Sequence, residues 1–70
     1  MRLYLEIIED LTEEELLTKQ PQVIRIEVND KDEALEKLKM LEPLFANRNY
    51  RKQLHYCYHD ENKPCRIEEL

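Results

Sequence analysis

Glycine, serine and tryptophan are absent from these 70 residues. Without glycine there is no GxxxxGK[ST] phosphate loop, no GxGxxG dinucleotide turn and no GxSxG nucleophile elbow, because each needs a backbone geometry or a close approach to phosphate that glycine supplies. The missing serine removes the commonest hydroxyl nucleophile. No apolar run reaches the roughly 18 residues that a membrane-spanning helix needs, and no apolar stretch follows a basic start, so neither a membrane segment nor a signal peptide is expected. Cysteine is scarce: there are two, and in a cytoplasmic chain both are expected to stay reduced. The absences together point to a cytoplasmic, non-enzymatic protein.

Charge is what the chain has in quantity. Charged residues make up 39% of it and hydrophobic residues 41%, with a net charge of −5, which describes a soluble domain with a heavily charged exterior. Residues 1–70 are expected to form a single domain. A domain of this length buries only about 60% of the surface its unfolded chain exposes, so its core is thin. Chains of this size often add a metal, a disulfide or a partner subunit.

Hydrophobic periodicity divides the chain into six elements. "RLYLEII" (2–8) alternates, with Leu3, Leu5 and Ile7 on one side, and reads as a strand. In "LTEEELL" Thr12 and Glu15 form a capping box, and Leu11 and Leu16 have the spacing of a hydrophobic staple, so a short helix should follow and end before Pro21. "VIRIEV" (23–28) places Ile24, Ile26 and Val28 against Val23, Arg25 and Glu27, a second strand. Asp30 caps the longest helical pattern and Glu33 answers it; Ala34, Leu38, Leu41 and Phe45, with Leu35 beside them, form the apolar face, and Pro43 ends or kinks the helix near Glu42. From Tyr50 to His59 the chain alternates again. Tyr50, Lys52, Leu54, Tyr56 and Tyr58 take the core face and Arg51, Gln53, His55, Cys57 and His59 the other. "DENKP" has turn chemistry and "CRIEEL" returns as a fourth strand. The expected fold is α+β in the order βαβαββ: a mixed sheet of three or four strands, one long helix packed on one face and a C-terminal β-hairpin.

The stretch "HYCYHDENKPC" gathers His55, Cys57, His59 and Cys65 within eleven residues. On a regular strand, successive members on one face stand about 6.8 Å apart, too far for all three of His55, Cys57 and His59 to reach one ion without a bulge. Cys65 joins them only in one hairpin register. A three-residue loop, Asp60–Asn62 with Asn62 left-handed, sets Cys57 opposite Cys65. A four-residue loop, Asp60–Lys63, sets Tyr58 opposite Cys65 and Tyr56 opposite Ile67, with the cysteines on opposite faces. The second gathers Tyr56, Tyr58, Cys65 and Ile67 on the core side, and because burial governs register it is the expected one. On that reading no metal and no other cofactor is expected, and a zinc-stabilised module using His55, Cys57, His59 and Cys65 is an alternative.

The balance of charge shifts along the chain. Residues 1–46 carry six basic and twelve acidic side chains, residues 47–70 five and four. Arg48, Arg51, Lys52, His55 and His59 lie in this later segment among three tyrosines, and Arg, Tyr and His are useful at interfaces. The expected function is therefore binding of a protein partner, or of a second copy of the chain, through those five residues on the outer hairpin surface. A single-stranded nucleic-acid binder using the Arg, Lys and Tyr residues of segment 48–58 is a further alternative, although the acidic remainder lacks the basic footprint such binders carry, so neither nucleic acid nor a membrane is expected as a partner.

Overall fold

The computed structural model describes residues 1–70. Strand β1 (Arg2–Glu9) is followed by a single helical turn, α1 (Glu13–Leu16), then β2 (Val23–Val28), helix α2 (Lys31–Leu41), which runs on as a 3₁₀ turn over Glu42–Phe45, then β3 (Tyr50–Cys57), a 3₁₀ turn over His59–Glu61, and β4 (Arg66–Glu69). The four strands form one sheet in the order β2-β1-β3-β4. Every adjacent pair is antiparallel, which corrects the expectation of a mixed sheet. The crossover through α2 does not return the chain beside β2; it carries it past β1, so β2 and β3, which run in the same direction, are separated by a strand running the other way.

Local chemistry accounts for the helix boundaries. Thr12 and Glu15 form the full reciprocal capping box of α1, each backbone amide donating to the other's side chain at 3.2 Å. At α2 the Asp30 carboxylate accepts from the Glu33 amide at 2.8 Å. The Glu33 carboxylate in turn accepts from the Asn29 backbone and side-chain amides at 3.1 and 3.0 Å, one residue earlier than a reciprocal box would use. Regular α-helix stops at Leu41, two residues before Pro43, and the chain tightens to 3₁₀.

Helix α2 and its 3₁₀ extension cover one face of the sheet. Leu3, Leu5 and Ile7 of β1, Val28 of β2, Leu54 of β3, Ala34 and Leu38 of α2 and Phe45 of the extension form the buried cluster, edged by Ile24, Ile26, Leu41, Tyr50, Tyr56 and Leu70. Leu35, expected beside this face, is 39% exposed, so the apolar stripe of α2 is narrower than its sequence suggests. At the hairpin the core is edged by a polar clasp: Glu68 accepts from Lys31 Nζ at 2.7 Å and from the Tyr56 hydroxyl at 2.8 Å, while the Arg66 guanidinium lies 4.2 Å from the Tyr56 ring centre. The opposite face carries Tyr4, Glu6, Arg25, Arg51, Gln53, His55 and Cys57 and has no helix over it.

Leu54 and Leu38 are among the buried core residues, at 0% and 4% exposure. Leu54→Ala and Leu38→Ala should each lower the unfolding free energy by about 2 to 5 kcal/mol, read from urea denaturation at equilibrium, whereas Arg51→Ala on the open face should change it by less than about 0.5 kcal/mol. A small loss at Leu38 would mean that α2 is not packed on this sheet.

Candidate metal centre on the open sheet face

The pairing of β3 with β4 joins Gln53 to Glu69, Leu54 to Glu68, His55 to Ile67 and Tyr56 to Arg66. Continued by one step, this register sets Cys57 opposite Cys65. It is the alternative that the burial argument ranked second, and Cys65 and Ile67 consequently lie on the open face with His55 and Cys57. Three features favour it over burial of Ile67. Asn62 adopts the left-handed conformation at φ 54°, ψ 34°, Leu70 packs against the core, and Glu68 reaches the clasp formed by Lys31 and Tyr56. The Leu70 amide donates to the Lys52 carbonyl at 3.0 Å. By the alternation of an antiparallel ladder, Cys57 and Cys65 then occupy a site without mutual backbone hydrogen bonds, where facing side chains come closest.

Strand β3 also ends earlier than the alternation suggests, at Cys57 instead of His59. Tyr58 leaves the extended conformation at φ −113°, ψ 20° and the 3₁₀ turn begins at His59. The turn brings His59 back over the end of the strand and supplies the bend that a flat strand lacks. His59 Nδ1 lies 2.8 Å from Cys57 Sγ and 3.6 Å from Cys65 Sγ, with Nε2 3.7 Å from the latter. One ligand atom from each of His55, Cys57 and Cys65 falls within 4.8 Å of the others. Donors around a tetrahedral zinc ion stand about 3.3 to 3.8 Å apart, closer than the 4.8 Å limit of this cluster.

His55 is oriented for this role. Its Nδ1 donates to Glu6 Oε2 at 3.1 Å, a bond that in the neutral ring puts the lone pair on Nε2, and Nε2 is buried without a hydrogen-bond partner. A carboxylate behind the imidazole is the usual arrangement around a metal-bound histidine, since it fixes both tautomer and ring orientation. Glu6 is itself held by Gln53 Nε2 at 2.8 Å and Arg25 Nε at 3.3 Å, and its side chain is only 12% exposed. Burial pushes its carboxyl up, but the hydrogen bonds from Gln53 and His55 and the nearby charges of His55 and Arg25 together outweigh this and hold it below the usual value. The Cys57 thiol is likewise held below its ordinary value, first by the His59 backbone amide and next by the His59 ring, with a contribution from Cys65, against the opposing effect of burial.

The five residues expected to form a recognition surface are dispersed. Arg51 and His55 do share the open face. Lys52 lies on the helix side, where it meets Glu42 at 3.4 Å; Arg48, in the loop before β3, bonds Gln22 at 2.7 Å and Glu9 at 3.4 Å; His59 belongs to the cysteine cluster. Arg51 contacts Asp10 at 2.9 Å. Glu6 was not singled out from sequence: its strand and face follow from alternation, but its place behind His55 needs the pairing of residues nearly fifty positions apart.

No protein-family model, curated protein or solved structure matches this chain, so its function has to be read from this geometry.

Two pH-dependent outcomes follow. Cys57 in chelator-treated protein should react with iodoacetamide with a midpoint below that of an ordinary thiol, and His59→Ala should move that midpoint upward; an unchanged profile would dissociate the thiol from His59. Because the folded-state value for Glu6 is depressed, its contribution to stability is present above the unfolded carboxyl pKa and is lost as pH falls through the folded value. Glu6→Gln should therefore flatten the acid limb of the stability profile, measured by thermal melts between neutral and acid pH.

Proposed function

We propose that this chain is a non-enzymatic binding module whose C-terminal hairpin is locked by one structural zinc ion, held by His55 Nε2, Cys57 Sγ, Cys65 Sγ and His59. The observation that carries the reading is the buried, unpartnered His55 Nε2, directed by Glu6 and set beside two thiols. Two soft sulfur donors with two imidazoles suit zinc better than magnesium or calcium, which prefer oxygen. With His59, whose ring lies against both thiols, as the fourth ligand beside the His55, Cys57 and Cys65 group, no position is left for water or substrate, the mark of a structural as opposed to a catalytic site. The expectation of no metal rested on the spacing of an extended strand and on a register that sets the cysteines on opposite faces; the β3–β4 pairing, which sets Cys57 opposite Cys65, removes the second ground. A small domain with eight buried residues gains most from such a staple.

A second reading has one observation in its favour. The 2.8 Å approach of Cys57 to His59 is also that of a thiolate–imidazolium nucleophile. Against it, none of the three surface cavities is lined by either residue, and water is not excluded from the pair. The non-enzymatic reading is therefore retained, with a reducing cytoplasm as the setting that keeps both thiols available to the metal.

Recognition of a protein partner is the use we assign to the locked hairpin, through exposed residues of the open face: Ile67, across from His55, and Arg51, two same-face positions further along β3. Nucleic acid fits less well, since Arg48, Arg51 and Lys52 each already face a carboxylate at 3.4, 2.9 and 3.4 Å.

Protein purified without added metal should contain one zinc per chain by elemental analysis. Chelation should lower the melting temperature by at least about 10 °C, given that one kcal/mol moves a domain of this size by roughly 4 to 8 °C, and Cys57→Ser with Cys65→Ser should abolish metal content. Metal-free protein that melts identically with and without chelator would overturn the zinc reading and bring the thiolate reading forward.

A further inference from the structure

Strand β2 is an edge of the sheet, paired with β1 on one side only. Native proteins usually blunt such an edge with proline, lysine, a bulge or a very short strand. β2 has no proline, lysine or bulge within its six residues, and its two charged side chains, Arg25 and Glu27, are of opposite sign. Its six residues, VIRIEV, include four β-branched apolar side chains and pair with β1 in unbroken register. The opposite edge, β4, is only four residues long and ends in Glu68 and Glu69.

Backbone direction fixes what this edge offers. The Glu9 amide donates to the Gln22 carbonyl at 2.9 Å, so by the two-residue alternation of the ladder Ile24, Ile26 and Val28 turn their backbone groups toward β1. Val23, Arg25 and Glu27 turn theirs outward. A second β2 can dock only where outward residues meet outward residues. For two identical strands related by a two-fold axis, the axis must then pass through a single residue of β2.

Charge selects among the possible axes. Centring on Arg25 sets two guanidinium groups opposite each other, and centring on Glu27 does the same with two carboxylates; like charges directly opposite are destabilising. Ile26 is the remaining central position. There Arg25 of each chain faces Glu27 of the other, twice, while Ile24 faces Val28 and Ile26 faces itself on the helix side of the sheet. Axes at Ile24 or Val28 shorten the ladder to the strand ends. Ile24 and Ile26 are half-buried at the rim of the core, so pairing there would extend the apolar layer from one chain into the next. Arg25 contacts Glu6 at 3.3 Å and lies 4.2 Å from the Tyr4 ring centre, both on β1, so in the single chain its guanidinium leans inward over the open face and swings outward to meet Glu27 of a second copy.

From this pattern we infer that β2 is a self-recognition edge: two copies of the chain pair antiparallel through β2 about an axis at Ile26, forming one eight-stranded sheet stitched by two reciprocal Arg25–Glu27 pairs. The inference goes beyond the zinc reading and does not depend on it: backbone pairing at the β2 edge uses neither β3 nor Cys57, two strands away, and the link between them is the contact of Arg25 with Glu6.

Sedimentation equilibrium on the full chain, as purified, tests it. The wild type should move from one chain to two as concentration rises into the micromolar range. Arg25→Glu and Glu27→Arg, each of which turns both cross-chain pairs into like charges, should weaken association at least about tenfold, and the double variant should restore it. Glu27→Pro, which removes only an outward amide, should leave the monomer's circular dichroism intact while abolishing the dimer. A wild type that stays monomeric at millimolar concentration would overturn the proposal. So would single charge reversals that leave association unchanged, or a double variant that remains as weak as its parents while keeping the native fold.

Discussion

Asn62 takes the left-handed conformation where the chain turns from β3 into β4, and the alignment of every facing pair beyond it depends on how that turn is made. Side chains alternate with period two, so a slip of one residue would carry Cys65 and Ile67 to the helix side and Glu68 to the other. The two thiols would part and the carboxylate that clasps Lys31 and Tyr56 would leave both. In a chain without glycine, asparagine is one of the few residues that tolerates positive φ at small cost, and Asn62 is the only residue here that takes it. The juxtaposed thiols and the polar clasp are thus two results of one turn, on opposite faces of the same hairpin.

Glu6 connects that hairpin to the middle of the sheet. Arg25 and Gln53 are its direct neighbours across the two ladders of β1, and all three side chains lie on the open face. The carboxylate is solvated by protein groups in place of water, which is why it remains anionic at 12% exposure. Its second oxygen then aims the His55 ring. The central strand therefore supplies Leu5 to the core on one face and the orienting group of the candidate site on the other, from adjacent residues.

The elements were legible in the sequence because their signals are local. Alternation in 2–8 and 23–28, the Thr12 and Asp30 caps and Pro43 all act within a few residues, and they account for β1, β2, α1 and the end of α2. What local patterns did not settle was pairing. Antiparallel order throughout the sheet depends on the α2 crossover passing β1, and no residue of α2 encodes that by itself. Hairpin register was judged by burial of Ile67, but the competing terms, Leu70 against the core and Glu68 on Lys31, involve a residue more than thirty positions away. The same applies to the end of β3: Tyr58 continues the alternation of Tyr56, and only its backbone angles reveal that the strand has stopped. Of the candidate site, the four His and Cys residues are visible in the sequence, while the approach of Cys65 and of the His59 ring to Cys57 depends on the turn.

The arrangement of strands also constrains how this molecule can assemble. β1 is made first and ends up in the interior of the sheet, and its neighbour β3 pairs with it from about fifty residues further along the chain. Sheet growth by successive hairpins from the N-terminus would stop at β2, leaving the second side of β1 open until β3 arrives. β3 and β4, by contrast, are joined by a short turn and can meet without waiting for anything else. Loop-closure entropy thus favours two separate beginnings, a β1–β2 ribbon and a β3–β4 ribbon, with their docking along the β1–β3 seam as the step that closes the longest loop and buries Leu5 against Leu54.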